Sequence, residues 1–131
     1  MTGLRCHLLI GPPASGKTTT AALLAPLLHA EVFSTDRIRE ELYGDAAIQG
    51  HWPEVEAKLH ESIRQAIAAG QSVLIDATHA QRPWRLALTQ RLELPAPVEW
   101  IGWWLRTPLA VCLAWNQQRP RSVPELVIRQ F

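Results

Sequence analysis

Only two of the 131 residues are cysteine, Cys6 and Cys112, and each stands in an apolar string with no second cysteine or histidine at ligand spacing. Neither a disulfide framework nor a zinc site is expected, and both thiols should be buried and free. No apolar run reaches the roughly 18 residues of a membrane span, and the N-terminus lacks a basic stretch leading into an apolar segment and a cleavage site. The expectation is a cytoplasmic protein with no membrane partner. Internal repeats and low-complexity tracts are missing too. Neither sign of charge dominates, since 13 basic and 12 acidic residues leave +1. With 47% apolar and 19% charged residues, the composition excludes disordered and collagen-like classes. This length suits one domain, residues 1–131.

The balanced charge hides a split along the chain. Residues 31–76 carry nine acids against four bases, whereas 81–131 carry seven arginines against three glutamates. Eleven of the 13 basic residues are arginine, whose planar fork matches phosphate oxygens two at a time. A cationic half is also what a solvated face looks like, so charge alone does not name a partner.

Apolar patterning supplies the elements. Leu4–Ile10 reads as a buried strand closed by Gly-Pro-Pro, and Lys17–His29 as a helix in which Pro26 should cause a kink or a stop. Further strands are expected at Glu31–Ser34, Ser72–Asp76 and Val98–Leu105. Helices are expected at Asp36–Leu42, Pro53–Ala69, Pro83–Leu94 and Pro108–Gln118, with a last one from Pro124. In the second of these, Val55, Leu59, Ile63 and Ile67 recur at every fourth position. Apolar strands alternating with helices imply an α/β fold, a parallel sheet of at least four strands with helices on both faces.

Gly11–Thr18 reads GPPASGKT, which fits G-x-x-x-x-G-K-[ST] between a strand and a helix. The context makes this a P-loop NTPase, a three-layer sandwich that binds a nucleoside triphosphate. Glycines at 11 and 16 let the backbone approach phosphate, so that amides and the helix dipole face the anion. The nucleotide-binding set is Gly11, Ala14, Ser15, Gly16, Lys17, Thr18 and Thr19. Lys17 neutralises the outer phosphates and Thr18 offers a hydroxyl to Mg²⁺.

The second strand ends in Ser-Thr-Asp-Arg-Ile-Arg, which sets Asp36 and Arg39 three residues apart on one helix face. Ligands of open parallel sheets collect at the carboxyl ends of strands, so both side chains would look toward the phosphate loop. Asp36 has two readings, a helix N-cap or a general base that takes the proton of an attacking hydroxyl. Arg39 would then hold an anionic group of the acceptor. Asp76, closing the strand VLID, reads as the second metal-site residue beside Thr18. Thr78 and His79 stand where an acceptor contact and a structural role are equally open, and His7 reads as core. Trp100, Trp103 and Trp104 are expected in the core, and Trp52, in a loop, is the better candidate for stacking.

Four blocks, GPPASGKTT, STDRIREELYGD, VLIDATHAQRPWR and WNQQRPRSVPELVIRQF, resemble the P-loop kinases related to phage polynucleotide kinase across almost the whole chain. The resemblance implies ATP and Mg²⁺ as cofactors, and transfer of the γ-phosphate to a hydroxyl, foremost the 5′-hydroxyl of a polynucleotide. A small-molecule kinase and a nucleotide-dependent switch are the alternatives. By position, Asp36 corresponds to the base, Arg39 to the acceptor clamp, Asp76 to the organising acid and Arg119 to the lid arginine that closes on the donor, with Arg121 a second cation there. Trp115 stands where the family often has arginine before Asn116. The related kinases continue into a helix and a fifth strand beyond the lid. The expectation is therefore a domain truncated after the lid, or one completed by a partner domain or a second copy.

Overall fold

The computed structural model describes residues 3–11, 15–46, 48, 50–77, 82–118 and 129. Four parallel strands, β1 (Leu4–Ile10), β2 (Ala30–Ser34), β3 (Ser72–Asp76) and β4 (Val98–Trp104), lie in the order β2-β3-β1-β4. Helix α1 (Lys17–Leu28) connects β1 to β2, and α2 (Thr35–Tyr43) and α3 (Trp52–Ala68) connect β2 to β3. The β3–β4 crossover carries α4 (Arg82–Leu86), which widens into a π-helical stretch over Ala87–Arg91, and α5 (Leu109–Gln118) follows β4. No helix among the described residues is long and apolar enough to cross a membrane.

Alternation along the strands divides the interior in two. Cys6, Leu8, Val73 and Ile75 join the larger cluster, which takes in Val55, Leu59, Ile63 and Ile67 of α3 and Leu88 after α4. Leu9 and Leu74 point to the other face and meet Ala21 and Ala25 of α1. The four α3 residues are essentially inaccessible, and each such side chain contributes about 1.5–3 kcal/mol by leaving water. Both cysteines are buried and free. Burial pushes the Cys6 thiol up to about 12.

Several elements depart from the reading above. Pro26 lies inside α1, which runs two residues further and ends on His29 in the left-handed region at φ 51°. Ala21 and Ala25 are the only apolar residues of α1 that are buried, while Leu23 and Leu27 are 68% and 75% exposed. Trp52 is the first residue of α3 rather than part of a loop. Of the three tryptophans of β4, Trp100 packs against the larger cluster, and Trp103 and Trp104 are not core. Trp104 is 70% exposed, Trp103 is also exposed and Trp100 is half-buried. β4 is an edge strand among the described residues, so its side chains have fewer neighbours in the sheet than those of the interior strands, whereas the expectation assumed cover on both faces. The helix from Pro124 lies outside the described residues, apart from helical Arg129.

His7 is core, as expected, and has a specific partner: its Nδ1 accepts a hydrogen bond from Trp103 Nε1 at 3.1 Å. That acceptor exists only on the neutral ring. Burial lowers the His7 pKa, with nearby Arg5 adding to the effect and Glu99 opposing it. The folded state therefore binds fewer protons than the unfolded chain. This stability is present above the ordinary value of 6.5 and is lost as pH falls through it toward the lower folded pKa. We expect the melting temperature to fall between pH 7 and 5, and to fall less steeply in His7→Gln. Some slope should persist, because the His60 pKa is lowered in the same direction, chiefly by burial. Identical pH profiles for parent and variant would remove His7 from the account.

Candidate active site

Strand register brings the candidate residues together. Asp76 pairs with Leu9 of β1 on one side and with Ser34 of β2 on the other, so the ends of β1, β3 and β2 form one edge. The phosphate loop leaves this edge from β1, α2 leaves it from β2, and Asp76 sits between them.

The loop has the geometry of an anion cradle. Gly16 has φ 94°, a backbone that side chains rarely adopt, and it begins α1 with no side chain to cap the first amides. A Cβ on Gly11 would stand 2.7 Å from Ser15 Oγ and 3.2 Å from Leu105 Cβ, so glycine there is a matter of space. Lys17 is buried at the first position of α1. Ser15 Oγ is buried without a hydrogen-bond partner among the described residues. A buried hydroxyl left unbonded costs about 1–3 kcal/mol, which a phosphate oxygen entering the loop would offset.

Thr18 Oγ1 donates to Asp76 Oδ2 at 2.9 Å, joining the helix start to the end of β3. A hydroxyl beside a buried carboxylate is a hard-oxygen donor set, and one carboxylate with substrate phosphates is how Mg²⁺ is usually held. The residues present therefore fit a nucleotide-bound Mg²⁺. No cluster of three or more His, Cys, Asp or Glu that could hold a metal by itself occurs among the described residues.

Asp36 and Arg39 do meet, with Arg39 Nη1 3.3 Å from Asp36 Oδ1. The Asp36 carboxylate is half exposed while the Arg39 side chain is only 14% exposed, so the arginine is the fixed partner. Asp36 is not the helix cap. Ser34 holds that position, and its hydroxyl accepts from the Arg37 amide at 3.4 Å, so the carboxylate is not spent on capping. The Arg39 guanidinium lies 5.9 Å from the centroid of the Trp52 ring, which in turn lies 5.2 Å from that of Trp84.

Ala14, Thr78, His79, Arg119 and Arg121 lie outside the described residues. Thr19 is exposed on the first turn of α1. Three supports were not found by sequence reasoning. Thr107 Oγ1 donates to the Ser15 carbonyl at 2.7 Å, and the Leu105 amide to the Ile10 carbonyl at 2.8 Å, so the segment after β4 braces the loop on both flanks. Trp115 of α5 stands against Gly16, within 3.4 Å of where a Cβ would be. Only the Thr-Pro pair at 107–108, a helix-start signal, hinted at any of these contacts.

Comparison with known proteins agrees with this geometry. The model of the AAA domain family AAA_33 matches residues 6–131. A shikimate kinase of Salinispora arenicola (strain CNS-205) is 33% identical over 113 residues, covering 77% of this chain and 68% of the relative. The shikimate kinase of Acinetobacter baumannii, solved with shikimate, superposes with a TM-score of 0.62 at 26% identity, covering 97% of this chain and 73% of that one. The fold also matches a chain of the Pnkp1/Rnl/Hen1 RNA repair complex, with a TM-score of 0.78 at 17% identity over 99% of this chain. This chain spans only 43% of that one's length. With the phosphate loop, the sheet order and the Thr18–Asp76 bond in place, the chain belongs to the AAA domain family and is a P-loop kinase domain.

Proposed function

We propose that the domain transfers the γ-phosphate of ATP to a hydroxyl group, and that its acceptor is the 5′-hydroxyl end of a polynucleotide. The observation that carries this reading is the Asp36–Arg39 contact at the end of β2, on the same strand edge as Asp76 and the phosphate loop. A nucleotide switch has no use for a half-exposed carboxylate held by a fixed guanidinium at that place. A hydroxyl kinase does: the carboxylate takes the acceptor proton as the oxygen attacks phosphorus, and the guanidinium fixes an anionic group of the acceptor.

On this reading Lys17 and the loop amides, with the Ser15 hydroxyl, hold the donor phosphates and stabilise charge that builds on them during transfer. Thr18 and Asp76 would hold Mg²⁺, which would supply neutralisation of phosphate charge. Arg119 and Arg121 are assigned to a lid that closes on the donor. The polynucleotide end is favoured over a small acceptor by the arginine excess of residues 81–131 and by the resemblance of four sequence blocks to the kinases related to phage polynucleotide kinase.

One observation favours a second reading, the 33% identity to a shikimate kinase, a small-alcohol acceptor enzyme. The two separate in one assay. Labelled ATP is offered with 5′-hydroxyl oligonucleotides, mononucleotides, nucleosides, shikimate and sugars. Label on the oligonucleotides is the expected result. Label on shikimate or a sugar alone would replace the acceptor, and no labelled product with any acceptor would return the domain to the switch class.

A further inference from the structure

The sheet face opposite α1 keeps a second recess, apart from the loop and the Asp36–Arg39 pair. It is a cavity of about 320 Å³ between α4 and the strands β1 and β4, lined among others by Leu8, Ile10, Trp100, Gly102, Arg82 and Arg85. Register explains its floor. Cys6 lies beside Trp100 and Leu8 beside Gly102, so Trp100 and Gly102 share the face of Cys6 and Leu8.

Glycine at 102 is not required by the backbone. It lies outside the positive-φ region, and an added Cβ would meet only Ile10 Cδ1, at an ordinary 3.5 Å. What the missing side chain does is leave the floor open. The walls are largely apolar with one indole, and Arg82 and Arg85 of α4 are among the lining residues. That combination suits a flat aromatic body carrying negative charge, because bases stack on indole and guanidinium planes while arginines hold phosphate. The volume is at the lower end of the roughly 300–1,000 Å³ of small-ligand sites, which fits one nucleotide unit. The recess is also tied to the acceptor pair. Trp84 stands between Arg82 and Arg85 in α4, and its ring packs on Trp52, beneath Arg39.

We propose that this cavity is a base subsite for the acceptor strand: a nucleotide downstream of the reacting hydroxyl inserts its base over Trp100, and the adjoining phosphate lies on Arg82 and Arg85. The inference rests on the polynucleotide reading and adds to it a single-stranded acceptor longer than one nucleotide.

The test uses a 5′-hydroxyl hexadeoxynucleotide labelled at its 3′ end, with binding followed by anisotropy and transfer followed with labelled ATP. Gly102→Leu, which fills the recess, should raise both Kd and KM for the hexamer about tenfold. The KM for adenosine 3′-phosphate, which has no downstream nucleotide to insert, and that for ATP should stay within about twofold. Arg82→Ala with Arg85→Ala should flatten the log–log salt dependence of hexamer binding by about 0.7, the share of one phosphate contact on a single strand. Should Gly102→Leu prove unstable on thermal melting, the arginine variant and Gly102→Ala decide. A parent KM for the hexamer in the filled or arginine-deleted protein would overturn the subsite alone. So would equal losses for the hexamer and the mononucleotide. A parent protein that neither binds nor phosphorylates the hexamer, yet phosphorylates a small alcohol, would overturn both the subsite and the polynucleotide reading.

Discussion

Asp36→Asn is expected to transfer phosphate about 10² to 10⁴ times more slowly than the parent while binding ATP with unchanged affinity. The substitution keeps the volume and an oxygen facing Arg39 Nη1, now 3.3 Å from Oδ1, but removes the basic carboxylate. It also leaves the start of α2 intact, because Ser34 rather than Asp36 caps that helix. A loss of helix stability therefore cannot mimic a loss of base. Single-turnover transfer with saturating ATP and the preferred acceptor, together with nucleotide titration, makes the comparison. Transfer at the parent rate would take the proton-accepting role from Asp36.

Lys17→Ala should slow turnover by roughly 10² or more, through loss of a charge that faces the outer phosphates most strongly as transfer proceeds. The side chain is buried at the head of α1, so the fold has to be checked separately. Alanine suits a helix, and α1 keeps its packing through Ala21 and Ala25, so the melting temperature in the absence of nucleotide should change by only a few degrees. Unchanged turnover with unchanged ATP affinity would remove Lys17 from the donor site. A collapse of the melting temperature would show that the ammonium serves the fold first.

Contrasts between particular residues show which parts were legible in the sequence. The phosphate loop and the strand ending at Asp76 could be read because their signals are local: a fixed spacing, and an apolar run closed by an acid. The α3 stripe was equally plain, since all four of its fourth-position residues are buried. Trp103 and Trp104 misled because an apolar strand reads the same whether one edge or two are paired. Asp36 was offered a capping role for a similar reason, as Ser34 and Asp36 are both good caps and only the helix start decides between them. The braces from Leu105 and Thr107 could not be read at all. They join residues more than 90 positions apart in chain number and use backbone carbonyls, which leave no trace in residue type.

The two buried cysteines have a practical consequence. Thiol reagents attack the thiolate, and with a pKa of about 12 Cys6 offers roughly one thiolate in 10⁵ molecules at neutral pH. Burial raises the Cys112 thiol as well, against the opposing pull of Lys17. The folded chain is thus chemically silent toward alkylating labels, and a cysteine introduced on the surface would react alone. The native pair then becomes a clock for opening, since alkylation of Cys6, in the middle of β1, registers the moment the central strand meets solvent.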